Sequence, residues 1–284
     1  MFEIVFIVTL LLFISTSVFS ILSLKTDHKI HFTRTKILFI ISLISFVILG
    51  IIRIYSFKSL NFLSIASGIW SYFYIFTLLM MVITIYLYFS RWRQQLKSFM
   101  AFTFPFITIM MIISIPFVGS LRKINLDSGL TVLSSHILPV HIFITITAEL
   151  FFFFSFVGSI LYLILEWQLK KKTSMRLIYR LPNLETIEKF NQWSISRSFI
   201  LLSIGIGIGM IMLFISFKSI SMGTAKELHI YFSWLIILVI YLIRRVMRIT
   251  SHNASIINIV LFVIVMFLFI FTNIFITKGF HSFV

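Results

Sequence analysis

The sequence has no cysteine and few acidic residues: 8 Asp and Glu stand against 24 Lys and Arg in 284 residues. The missing cysteine excludes disulfides, thiolate metal sites, iron–sulfur clusters and thiol redox chemistry by this chain. Only 11% of the residues are charged, 60% are hydrophobic, and the mean hydropathy is +1.11. A soluble domain has about 25% charged residues. The composition therefore excludes a soluble domain, a disordered chain and a collagen repeat, and it predicts an integral membrane protein.

Motifs of several enzyme classes are also missing. The chain has no Gly-rich loop followed by Lys and Ser or Thr, no HExxH, no cluster of paired carboxylates and no assignable Ser–His–Asp set. Gly205, Gly207 and Gly209 form GxGxG, but they lie in an apolar run and not between a strand and a helix. We predict that these glycines allow close helix packing. The inventory favours a protein that is not an enzyme.

Eight apolar segments are candidates to cross a membrane, which takes about 20 residues each. They are residues 4–24, 37–52, 62–89, 99–119, 138–165, 198–217, 229–243 and 254–277. The sequence therefore predicts an all-α, polytopic bundle of eight transmembrane helices, forming a single membrane domain over residues 1–284.

The formal net charge of +16 indicates topology and not a nucleic-acid partner, because cationic loops stay on the cytoplasmic side of a membrane. Loops on one side of the eight predicted spans, with the adjoining Lys25, carry 17 of the 24 Lys and Arg residues, and the other side carries 7. Both termini are therefore predicted to be extracytoplasmic.

The longest predicted inner loop, residues 166–197, begins with a basic cluster that includes Lys170, Lys171 and Lys172. This cluster fits a retention signal that touches anionic membrane lipid, and alternatively a docking surface for a cytoplasmic partner. After Pro182, apolar residues at helical spacing predict a short amphipathic helix that lies in the interface before the sixth span.

Histidines at the outer ends of the spans are candidate metal ligands, since imidazole binds iron, zinc and copper. Two imidazoles in an apolar cleft suit a haem iron, and the 35 Phe residues would make such a cleft apolar. The alternative is that the histidines are ordinary interfacial residues and the phenylalanines face lipid. The outer histidines are His136, His141, His229 and His281, and the cations on that side that could meet haem propionates are Arg53, Arg122 and Lys123.

Glu149 is a carboxylate within a predicted span. It lies eight residues after His141, which is about 12 Å along a helix. An ionisable group at this depth marks function by default or is held neutral by a partner. A proton relay and a structural hydrogen bond are both open for Glu149.

Three stretches of the second half, residues 136–284, carry a family resemblance. His141 opens a long apolar helix, Leu181-Pro-Asn-Leu-Glu-Thr-Ile-Glu188 precedes the Gly-rich sixth span, and Gly279-Phe-His-Ser282 closes the chain. In this order they resemble the cytochrome c assembly family, the CcsA/CcmC-like membrane proteins that handle haem. The first half, residues 1–135, adds a four-helix half with a matching span count.

The resemblance implies a b-type, non-covalent haem with His141 and His281 as the axial ligands. Relatives that attach haem carry a tryptophan-rich loop ending in Asp, whereas residues 218–228 contain neither Trp nor Asp. In this the chain is similar to the HemX branch, multi-pass proteins of the bacterial cell membrane. That likeness implies control of haem (tetrapyrrole) biosynthesis by lowering glutamyl-tRNA reductase, with loop 166–197 acting on the reductase or an associated protease.

Two other functions are alternatives to this interpretation. The chain could be a cytochrome c assembly component that presents haem on the outer face, as the family resemblance favours. It could also be a small-molecule permease that uses Glu149, although the sequence shows no inverted repeat.

Overall fold

A computed structural model describes residues 2–26, 29–56, 69–89, 96–115, 132–171, 182–217, 225–245 and 249–275. Within these ranges the chain forms eight helices and no strand, which confirms the predicted all-helical class for this part of the chain. The helices are α1 (Phe2–Lys25), α2 (Lys29–Ser56), α3 (Ile69–Phe89), α4 (Leu96–Ile113), α5 (Val132–Lys171), α6 (Leu184–Phe217), α7 (Ala225–Arg245) and α8 (Ser251–Phe275).

Six of the described helices contain an apolar stretch long enough to cross a membrane, all except α4 and α7. The apolar stretches of those two are shorter, at Ser98–Ile113 and Leu228–Arg244. A chain with this many apolar helices is a multi-pass membrane protein. The number of crossings and the side of each terminus stay predictions.

Three helices extend furthest beyond the predicted spans. Helix α2 begins at Lys29, so most of the predicted loop 26–36 is helical, and α5 continues through Lys170 to Lys171. Helix α6 includes the segment predicted as a separate interfacial helix. Asn183 caps α6, because its side-chain oxygen accepts a 2.8 Å hydrogen bond from the Thr186 amide, and no proline follows before the span. The helix therefore runs on without a break.

Helix α5 is the centre of the bundle. Its most extensive contact is with α6, and it also packs against α8, α3 and α4, while α1 packs against α2 and α4. Stacked and edge-on aromatic rings fill the space around α5: the ring of Phe153 lies 3.9 Å from that of Phe106 and 6.0 Å from that of Phe262, between centroids. The core thus places the polar residues of α5 between four other helices.

Candidate functional site

His141 lies near the start of α5, against α6. Its side chain is buried, and its Nδ1 atom lies 2.8 Å from the backbone carbonyl oxygen of Gly205. A carbonyl oxygen can only accept, so Nδ1 carries the hydrogen and donates it to Gly205. With the hydrogen on Nδ1, the lone pair that can bind a metal is on Nε2. A histidine that ligates a metal usually has this arrangement, in which its other nitrogen donates to a backbone carbonyl.

Two glycines of α6 make room for this contact. A Cβ atom at Gly209 would lie 2.9 Å from Cε1 of His141, and one at Gly205 would lie 2.6 Å from Cγ2 of Thr145. A Cβ at Gly207 would meet nothing within 4 Å. The prediction that this glycine run permits close packing is confirmed for Gly205 and Gly209, and the packing turns out to fit the imidazole of His141.

Glu149 lies further along α5 at a narrow cavity of about 50 Å³. The hydroxyl group of Tyr72, from α3, donates a hydrogen bond to Oε2 of Glu149. His229, from α7, is a further polar residue in the wall of this cavity. The wall is otherwise mainly aromatic and apolar, with Phe73, Phe76, Phe106, Phe152, Phe153 and Phe262. A carboxyl group with a phenol donor in an apolar chamber is equipped to hold a proton or a small polar ligand.

The sequence placed His229 among the outer histidines without connecting it to Glu149. The structure brings the two residues to one cavity, because α7 and α5 both border it. Periodicity within α7 gave no sign that His229 reaches this cavity, since that depends on the arrangement of α3, α4, α5, α7 and α8 around it. Glu149 itself was recognisable as a carboxylate in an apolar run.

Of the three cations predicted to meet haem propionates, only Arg53 lies among the described residues. Arg53 is buried near the end of α2, where its guanidinium carbon lies 5.6 Å from the ring centroid of Phe2. Arg122, Lys123 and the second predicted ligand, His281, lie outside the described residues. The pairing of His141 with His281, and the role of the three cations, stay predictions.

The basic cluster of the predicted inner loop starts on the last turn of α5. Lys170 forms a 2.8 Å ion pair with Glu166, and the ammonium of Lys171 lies 4.5 Å from the ring centroid of Trp167. Lys172 lies outside the described residues. The side chains of Lys170 and Lys171 are exposed, so they are available to lipid or to a partner.

A buried polar network that the sequence analysis did not identify joins four helices. Arg244 of α7 donates to Glu188 of α6 at 2.8 Å and to Ser159 of α5 at 3.2 Å. Asn258 of α8 donates to Ser159 and Ser155, both at 2.8 Å. The signal in the sequence was Asn258, an amide within an apolar run, where a polar side chain normally faces another helix.

No group of three or more His, Asp or Glu side chains that could hold a metal ion occurs among the residues described. A metal at His141 would therefore need ligands from elsewhere or from a cofactor such as a porphyrin. The contact with Gly205 and the space at Gly209 fit a single axial ligand of a haem iron.

The fold and these polar sites define a class of protein: a multi-pass helical membrane protein with histidine and carboxylate groups inside the bundle. The family model described as "Cytochrome C assembly protein" matches residues 69–281, about three quarters of the chain, and the chain belongs to that family. The match begins at α3, well before the stretches that carried the sequence resemblance, and it ends at His281. Searches of curated proteins and of solved structures give no match.

Proposed function

We propose that the protein handles haem in a cell membrane as part of cytochrome c assembly, with His141 as an axial ligand of a non-covalent haem. The observation that carries the proposal is the buried imidazole of His141, whose Nδ1 is held by the carbonyl of Gly205 within a chain of this family. A bound haem would itself be the group that is passed on or sensed. The chain itself supplies the imidazole, its fixed orientation and an apolar surrounding.

The cysteine count bears on one covalent form of haem, the thioether-linked form. Thioether attachment of haem to a protein needs cysteine, and the chain has none. We therefore infer a b-type haem held by axial ligation, with His281 as the second ligand and Arg53, Arg122 and Lys123 near the propionates. Most of the Lys and Arg residues lie in the predicted inner loops, which supports an orientation with both termini outside. The bacterial cell membrane is what the resemblance to the HemX branch implies.

A visible spectrum of the purified protein tests the haem site. We expect a Soret band in the wild type, loss or a shift of the band in His141→Ala, and partial recovery of the wild-type spectrum when imidazole is added to that variant. His229→Ala is the matched control, because this histidine borders the separate cavity at Glu149. A wild type without a Soret band, or a His141→Ala spectrum identical to that of the wild type, would refute the assignment.

Regulation of haem synthesis is a second candidate, favoured by the absence of Trp and Asp from residues 218–228. Without an aromatic platform in that loop, haem would be bound as a signal and not presented for attachment. The reductase of tetrapyrrole synthesis, glutamyl-tRNA reductase, or a protease that degrades it, would then respond on the cytoplasmic side.

A gene deletion separates the two functions. Loss of c-type cytochromes with normal reductase levels would support assembly. Normal c-type cytochromes with raised glutamyl-tRNA reductase would support regulation of the HemX type. The spectrum of His141→Ala does not distinguish them, since both functions use the same haem ligand.

A further inference from the structure

A polar cavity of about 420 Å³ opens between the first turns of α6 and the last turn of α7. Its wall includes three cations, Lys189, Arg197 and Arg244, and two amphipathic aromatic residues, Trp193 and Tyr241. Neither His141 nor Glu149 borders it. The cavity is therefore a second site, separate from the proposed haem ligand and from the carboxylate chamber.

Helix lengths and the aromatic residues of the wall favour a place for the cavity at the membrane interface. Helix α6 has 34 residues, a length of about 51 Å, and it must project beyond a hydrocarbon core of about 30 Å. The apolar stretch of α7 ends at Arg244. Trp and Tyr are enriched at the level of lipid headgroups. Trp193 and Tyr241 thus mark the same level from two helices.

The three cations of the cavity differ in their burial and in the partners that they already have. Arg244 forms the inner wall; its side chain is 1% exposed, Nη1 and Nη2 bind Glu188 and Ser159, and Nε has no hydrogen-bond partner among the described residues. Lys189 pairs with Glu185, but both side chains are about 70% exposed, and such a pair exchanges readily with other anions. Arg197 is exposed on the same face of α6.

An apolar surface continues from the cations toward the membrane core. Ile200 borders the cavity, lies three residues beyond Arg197 on α6, and is 46% exposed. A ligand that spans Arg197 and Ile200 would need an anionic group at one end and an apolar chain at the other. A soluble phosphate compound has the anionic group but no apolar chain, so it would contact Arg197 without covering Ile200.

We propose that this cavity binds the phosphate headgroup of an anionic phospholipid. Arg197 and Lys189 contact the phosphate, Arg244 supports it from the inner wall, and Trp193 and Tyr241 lie beside the glycerol region. Basic pockets between membrane helices bind anionic headgroups by the same chemistry, and guanidinium groups match phosphate oxygens in pairs.

Native mass spectrometry of the full chain released from nanodiscs tests the proposal. With equal phosphatidylglycerol and phosphatidylcholine, we expect the wild type to retain phosphatidylglycerol preferentially. Arg197→Gln and Lys189→Gln should each lower that retention about fivefold, the effect of one cation near an anionic surface. Arg34→Gln is the matched control, since it removes an exposed cation that does not border the cavity and lies outside the basic cluster at the end of α5.

Three results would overturn the proposal. The first is equal retention of the two lipids by the wild type, and the second is an equal loss of phosphatidylglycerol in the cavity variants and the control. The third is a soluble ligand: in phosphatidylcholine nanodiscs, the wild type would bind inorganic phosphate or glycerol phosphate at millimolar concentration, and this binding would depend on Arg197. Arg197→Gln keeps the Arg244–Glu188 pair, so its result does not depend on whether an Arg244 variant folds.

Discussion

The α1–α2 hairpin and the α5–α8 region satisfy their polar side chains in different ways. In the hairpin, hydroxyl groups mostly donate to carbonyls of their own helix, as Thr16 does to Leu12 at 2.7 Å and Ser42 to Phe39 at 2.9 Å. In α5–α8, polar side chains cross between helices, as Asn258 and Arg244 do. The hairpin ends at Ser56, before the family match begins at residue 69.

This difference shows where the bundle fixes helix positions by polar contacts. Lipid chains are as apolar as leucine, so helix association in a membrane depends on close packing and interhelical hydrogen bonds more than on hydrophobic burial. The cross-helix contacts of α5–α8 define how those helices sit around His141 and Glu149. The hairpin has a hydroxyl pair between its two helices, Thr9 and Ser45 at 2.7 Å, and is otherwise joined by shape, with Phe13 packed edge-on against Phe46.

The largest effect is expected at Arg244. Arg244→Gln leaves the Glu188 carboxylate buried without its cation, and we expect the free energy of unfolding to fall by about 3 kcal/mol or more. Lys170→Gln, which removes an exposed ion pair with Glu166, should change it by less than about 1 kcal/mol. Denaturant titration of the protein in detergent micelles, followed by circular dichroism, measures both. Equal losses in the two variants would contradict the role given to the buried pair.

A smaller effect is expected at Asn258. Asn258→Ala removes two hydrogen bonds to α5 and should lower the free energy of unfolding by about 1–2 kcal/mol, near the upper end for interhelical bonds in membranes. The same titration applies, with Asn253→Ala as control because that side chain is exposed on the same helix. If Asn258→Ala were as stable as the control, the network would be incidental to the fold.

The glycines of α6 give a more local prediction. In Gly209→Ala the new methyl group would displace the His141 ring, and we expect haem affinity to fall about tenfold, as for loss of a contact that orients a metal ligand. Gly207→Ala should leave affinity unchanged, because its Cβ would meet nothing within 4 Å. Haem titration followed at the Soret band compares them. Similar haem affinities in the two variants would show that the packing at Gly209 does not position His141 as a haem ligand.

Composition and hydropathy predicted the class and the order of the helices, because a run such as that of α1 can only be a membrane helix or a buried one. They predicted His141 as a candidate but not its contact with Gly205, which depends on the register of α5 against α6. The partners of Glu149 and Arg244 were equally hidden, since they lie on other helices, 77 and 56 residues away in the sequence. The predicted helix ends were wrong where a helix continues through charged residues beyond its apolar run.

The smallest effect is expected in the hairpin. Ser42→Ala removes a bond to the carbonyl of Phe39, which keeps its place in the helix ladder, so the free energy of unfolding should change by less than about 0.5 kcal/mol. Gly50→Ala is the sharper probe of shape, because a Cβ there would lie 2.0 Å from the hydroxyl oxygen of Tyr74, whose ring stacks on Phe46. We expect it to cost more than Ser42→Ala in the same titration. A reversed order would mean that the packing around Tyr74 and Phe46 contributes less to stability than a hydroxyl bond within one helix, and the contrast with α5–α8 would disappear.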